Sequence, residues 1–231
     1  SLLFVIPLNL EKGWNCTYDT AGEQICLDKE QLGNVCRDYL TVDTAVSMYD
    51  AKVCITLSCP DAPMVQVGNF NFGREKHSIK REKNPLLLAW PLNNYWSTNF
   101  MADQNGKMKF AYELNVHDSF CAEQMRADGI QAKQPVKVNA LVHAVNEEKR
   151  LLICQGESTV LDIFPANESG AMLVLLKNLS NIENTVVIQS KIWKIRAAAY
   201  VTPQETEIEK LPITEQNIFV KMPPRALKMI K

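Results

Sequence analysis

The chain has no excess of charge of either sign: 25 Lys and Arg stand against 26 Asp and Glu, a net charge of −1. Without a global field, nothing draws it to nucleic acid or to anionic lipid. No apolar run approaches the ~20 residues that span a bilayer as a helix. Neither nucleic acid nor membrane is therefore an expected partner. Histidine is scarce. His77, His117 and His143 are scattered, with no His-x-His and no His-Glu-x-x-His, so the sequence lacks the clustered spacing of a metal site. There is no glycine loop to cradle phosphate and no serine elbow. The seven cysteines are odd in number and show no Cys-x-x-Cys spacing, which argues against a redox or metal motif. They read as reduced thiols of a cytoplasmic protein. Asn-x-Ser/Thr triplets occur at Asn15, Asn167 and Asn178 and carry weight only in a secreted chain.

What is present is β-structure. The 231 residues suit one large all-β domain or two smaller ones. The dominant period is two. The segment from Met108 to His117 places Met108, Phe110, Tyr112, Leu114 and Val116 on one face, with Lys109, Glu113, Asn115 and His117 on the other. Val53, Ile55 and Leu57 alternate with Cys54, Thr56 and Ser58. Further β-rich runs lie between turn signals at Asp50, Gln104 to Gly106, Asn167 to Gly170 and Asn178 to Asn184. This spacing predicts antiparallel sandwiches. A short helix is expected over Ser119–Ala127, capped by Ser119 and ended by Gly129, and a second at Asp28–Leu32. The acidic stretch Thr202–Lys210 reads as an exposed loop. The pattern of long strands gives way near Val145 to Leu151. The expected domains are therefore 1–146 and 147–231. Ser1 leads directly into the strand-like Leu2–Leu8, which reads as a strand inside a longer protein.

Catalysis by paired carboxylates needs two acids held about 5 to 10 Å apart across a sugar. Asp19, Asp28, Asp38, Asp43, Asp50 and Asp61 sit in turn-rich sequence, and their spacing pairs none of them. Turn capping is the expected role of each. Arg37-Asp38 and Arg74-Glu75 read as simple ion pairs. The strongest binding candidate is the segment after Trp90. Asn93, Asn94, Tyr95, Trp96 and Asn99 supply flat rings and amides that both donate and accept, which is what a sugar needs. Trp90 and Phe100 are expected to fill core.

The motifs in order resemble a known family. They run Gly13-Trp14-Asn15, Asp19 to Gly22, Leu27-Asp28, Gln31-Leu32, Arg37-Asp38, Pro60 to Pro63 and Val65 to Gly73. The last spans Asn84-Pro85 and then Trp90 to Phe100. The set is similar to the C-terminal β-rich half of bacterial α-mannosidase-like glycoside hydrolases of family 38. Ala171 to Asn178 resembles the family's late strand before its terminal small sandwich. The resemblance implies an all-β fold, a large antiparallel supersandwich of the galactose mutarotase-like kind followed by a small sandwich. It also implies an absent N-terminal catalytic barrel as partner. That barrel would hold a divalent metal, zinc in most members, together with the nucleophile and the acid/base. It would cleave α-mannosidic bonds of a carbohydrate substrate with retention. No catalytic or metal position carries over to this chain, and no cofactor is expected in it.

Three functions compete. The first is a non-catalytic C-terminal portion of such a glycosidase, packing on the barrel and shaping its cleft. The second is an independent carbohydrate-binding module using Tyr95 and Trp96. The third is a sugar-epimerase-like enzyme, which requires histidines and a glutamate in one cleft.

Overall fold

The structure, a computed structural model, describes residues 1–70, 81, 85–93, 103–138, 150–156, 159–168 and 170–231. It is all-β, with four antiparallel sheets and, among the described residues, one helix. The chain divides into two compact units, Ser1–Val136 and Lys137–Lys231. The boundary expected at residues 146 and 147 lies outside the described residues.

The first unit contains β1 (Leu2–Pro7), β2 (Asn15–Thr20), β3 (Glu23–Cys26), β4 (Leu40–Thr41), β5 (Ala45–Tyr49) and β6 (Cys54–Ser58). It continues through β7 (Met64–Val67), β8 (Leu86–Leu92), β9 (Glu113–His117) and α1 (Ala122–Lys133). Two sheets form, in the orders β1-β8-β7-β4 and β3-β2-β5-β6-β9. Their facing sides alternate inward as period two requires: Val65, Val67, Leu87 and Ala89 from one sheet meet Tyr18, Val46, Met48 and Leu57 from the other. β2 and β3 form a tight hairpin through Ala21 (φ 50°) and Gly22 (φ 75°). Both torsions are left-handed, as the type I′ turn that matches strand twist demands.

The outer side of the five-stranded sheet is polar yet buried. Thr17, Asp19, Gln24, Ser47, Thr56 and Ser58 are each at most 6% exposed. Helix α1 packs on β5 and β6 at this face. It presents Met125, Asp128 and Gly129, one helical face by their spacing. Here the structure corrects the expected helix. It begins after Cys121, with no side-chain cap from Ser119, and runs through Gly129 to Lys133. Gly129 is not a terminator. A Cβ there would overlap Thr44 and press on Ala45, so the missing side chain sets the approach of helix to sheet. The second expected helix does not form. Asp28 takes a left-handed φ of 65°, and residues 26 to 30 close as a turn in which Glu30 N donates to Cys26 O at 3.0 Å.

β9 is shorter than the alternation suggested, because only Glu113 to His117 reach a partner strand, β6. Residues 136–138 are outside any strand.

The second unit contains β10 (Ile153–Gln155), β11 (Thr159–Pro165), β12 (Met172–Asn178), β13 (Asn184–Gln189) and β14 (Ala199–Val201). It ends with β15 (Glu207–Lys210), β16 (Ile213–Thr214), β17 (Asn217–Met222) and β18 (Leu227–Ile230). The sheets are β10-β13-β17-β16 and β11-β12-β18-β14-β15. Val174, Leu176, Val186, Ile188, Val220, Met222 and Ile230 form the core between them. The acidic loop expected over Thr202–Lys210 is in part a strand: β15 pairs with β14 as a sheet edge, and all four of its side chains are exposed. An edge strand needs no apolar face, and charge there discourages further pairing.

Asn178 ends β12 with no exposure at all. Its Nδ2 donates to the carbonyls of Ile182 (2.8 Å), Met222 (3.1 Å) and Pro223 (2.9 Å). Its Oδ1 accepts from Ser180 N (2.9 Å) and Asn184 Nδ2 (3.3 Å). One amide thus satisfies the buried backbone where the two sheets of this unit meet.

Candidate functional site

The binding residues expected after Trp90 are placed in part. Trp90 is core, 2% exposed, and its ring meets Tyr39 edge to face at a 6.0 Å centroid distance. Asn93 lies at the surface, where its Oδ1 accepts a long 3.5 Å hydrogen bond from Ser1 Oγ. Asn94, Tyr95, Trp96, Asn99 and Phe100 lie outside the described residues. So do His77, His143 and the Arg74-Glu75 pair. His117 stands on β9, with its Nε2 2.7 Å from Asp128 Oδ2 of α1. Gln124 Nε2 also donates to Asp128, at 2.9 Å. This linkage ties helix to sheet.

A cleft does open elsewhere in the first unit. Strands β3 and β4 are the edges of their sheets, and the segment between them, residues 27–39, crosses the gap. The opening is about 390 Å³. Its floor holds Tyr18 and Tyr39. Trp90 behind Tyr39 restricts that ring. Gln31 Nε2 donates to the Tyr18 hydroxyl at 3.1 Å, and Gln31 Oε1 accepts from Asp28 N at 3.2 Å. Burial raises the Tyr18 pKa, partly opposed by the Gln31 hydrogen bond, so the hydroxyl keeps its proton. Thr20 and Thr41 add hydroxyls, and Leu32 and Val35 form an exposed apolar rim. Among the described residues of the lining Glu30 is the one carboxylate and none is a cation.

The crossing segment is held from below. Asp28 takes ion pairs from Arg37 Nη1 at 3.5 Å and Arg81 Nε at 3.4 Å. Arg81 Nη2 donates to Arg37 O at 2.6 Å. The partner of Arg37 is therefore Asp28, across the turn, and not its neighbour Asp38 as expected from sequence. Burial lowers the Arg81 pKa, while Asp28 opposes the shift. Gly68, at φ 85°, allows Arg81 to lie close: a Cβ there would stand 3.1 Å from Arg81 Cγ.

No local pattern in the sequence assembles this cleft. Gln31-Leu32 was legible only as part of a motif. Tyr18, Tyr39 and Thr41 come from strands brought together by the sandwich, and no local spacing marks them.

A second surface lies at the other side of the same sandwich. There β1 and β9 are the edge strands, joined by a T-shaped contact of Phe4 with Tyr112 at 6.0 Å. Phe4, Val5, Leu114 and Val116 are 45 to 64% exposed. Leu114 and Val116 share a face, as the alternation predicts, and pair with Leu57 and Ile55 of β6, yet both are exposed.

All seven cysteines are free thiols. Among the described residues there is no group of three His, Cys, Asp or Glu placed to hold a metal ion, and no helix long and apolar enough to cross a membrane. Comparison with protein-family models finds no match, and comparison with curated proteins finds none either.

Proposed function

We propose that this chain is the non-catalytic β-sandwich portion of an α-mannosidase-like glycoside hydrolase. It packs on the catalytic barrel of the same polypeptide and helps shape the cleft in which a carbohydrate is cleaved. The barrel supplies the divalent metal and the reacting carboxylates, and this chain supplies the surface against which they are held. The ordered motif set from Gly13 to Phe100 supports the reading. The structural observation that carries it is the exposure of apolar side chains on both edge strands, Phe4 and Val5 on β1 and Leu114 and Val116 on β9. Edge strands that present apolar side chains suit burial against another domain.

The test is an assay of the 231-residue chain with an aryl α-mannoside, with and without added zinc. No release of aryl alcohol above the blank is expected. Turnover by the chain alone overturns the reading. A companion measurement addresses the edge. Leu114→Lys with Val116→Lys leaves the melting temperature of the isolated chain unchanged and suppresses its self-association. A lowered melting temperature would instead assign these side chains to the chain's own stability.

A further inference from the structure

We infer that the cleft between β3 and β4 is a binding subsite for a neutral saccharide. It is separate from the apolar edge and independent of the glycosidase reading.

The chemistry of the lining selects the ligand class. A sugar ring offers an apolar C–H face and a rim of hydroxyls that each donate and accept. The cleft answers both. Tyr39 presents an aromatic ring, held by the fully buried Trp90. The Tyr18 hydroxyl accepts from Gln31 and, retaining its proton, still has a hydrogen to donate. Thr20 and Thr41 add groups of the same dual character. Glu30 Oε2 is occupied by Cys26 N at 2.7 Å, which leaves Oε1 as a strong acceptor for a ligand hydroxyl. Leu32, 78% exposed, and Val35 give the rim apolar contact.

The same lining argues against other classes. Among the described residues the lining carries one carboxylate, Glu30, and no cation, so nothing in it selects phosphate, sulfate or an acidic sugar. An aliphatic ligand would set the Tyr18, Thr20 and Thr41 hydroxyls against apolar groups. The volume of about 390 Å³ falls within the range of small-ligand sites and accepts a mono- or disaccharide. The site is also built in advance. Gln31 is fixed at both ends of its amide, and the crossing segment is clamped by Asp28, Arg37 and Arg81. Little ordering remains to be done on binding.

The experiment is a titration of the full 231-residue chain with D-mannose, D-glucose and a neutral disaccharide, read by amide chemical shifts and by calorimetry. Saturable shifts are expected at Thr20, Gln31, Leu32, Tyr39 and Thr41. Gln31→Ala weakens binding about tenfold, because the Tyr18 hydroxyl loses the group that orients it. Leu32→Glu, at an exposed position that leaves the melting temperature unchanged, places a charge on the rim and weakens it at least as much. Three results overturn the inference: no saturation by any of the sugars, binding unaltered in both variants, or inorganic phosphate or a neutral peptide binding the same residues more tightly than the sugars. None of these outcomes depends on whether the chain hydrolyses a mannoside.

Discussion

Asp19 on β2 and Arg126 on α1, 107 residues apart in sequence, meet at 3.4 Å. The carboxylate is 1% exposed. It also accepts from Thr44 N (2.8 Å) and Ala45 N (2.9 Å), and from the Thr44 hydroxyl. One side chain thereby starts β5, holds β2 beside it and anchors the helix. Asp19→Ala leaves two buried N–H groups without acceptors and is expected to cost about 2–4 kcal/mol. Arg126→Ala leaves the backbone bonds in place and should cost well under half as much. Urea unfolding of the two variants measures both. Equal losses would shift the importance from the backbone bonds to the ion pair.

Gly129→Ala is expected to destabilise the fold by about 1–3 kcal/mol, even though alanine is the better helix former by about 1 kcal/mol. The new methyl meets Thr44 and Ala45. At exposed Ala127, two residues earlier in the same helix, Ala127→Gly should cost about 1 kcal/mol from propensity alone. Thermal denaturation that ranks Gly129→Ala as neutral or stabilising would show that the helix can lift from the sheet at no cost.

Ala21→Asn is expected to stabilise the first unit by about 0.5 kcal/mol. Ala21 adopts a left-handed φ of 50° that alanine disfavours, and Asn-Gly is the favoured pair for this turn. The Gly22 N–H donates to Asp43 Oδ2 at 3.0 Å, and that bond is untouched. A rise in melting temperature checks it.

Asp50 organises the turn between β5 and β6. Its carboxylate accepts from the backbone N–H of Glu11 (2.8 Å), Lys52 (2.7 Å) and Val53 (3.0 Å). These bonds, first of all that from Glu11, hold its pKa below the ordinary carboxylate value. A depressed folded-state pKa gives stability that is present above the unfolded value and is lost as pH falls through the folded one. Asp50→Asn should therefore flatten the acid limb of the stability curve relative to the parent chain. Unfolding free energies measured from neutral pH downward test this, and parallel curves would remove Asp50 from the acid response.

The sheets were legible in the sequence where one face meets core. Val46 and Met48, Val65 and Val67, and Leu87 and Ala89 show the period plainly, and each pair is buried. The hairpin of β2 and β3 was not read as strands, because Thr17, Asp19 and Gln24 are polar residues buried under a helix and break the expected contrast of faces. Helix α1 was placed a few residues early because Ser119 and Gly129 carry the usual cap chemistry. Tertiary contact, not capping, decides where it starts and continues. The edge residues Leu114 and Val116 kept their predicted face but not their burial, since burial depends on how far the opposite sheet extends. The cleft was illegible for a related reason: its residues come from the edges of two different sheets and from the segment between them.

The Asn178 amide has a consequence for the order of events in biosynthesis. Asn178-Leu179-Ser180 is an acceptor triplet for an N-linked glycan, yet every polar atom of its side chain is engaged inside the second unit. A glycan there and the native pairing of β12 with β18 exclude one another. In any compartment that attaches such sugars, the fate of the chain is set by a race between sugar transfer and strand closure. Molecules that close first are sealed against the modification for as long as they stay folded.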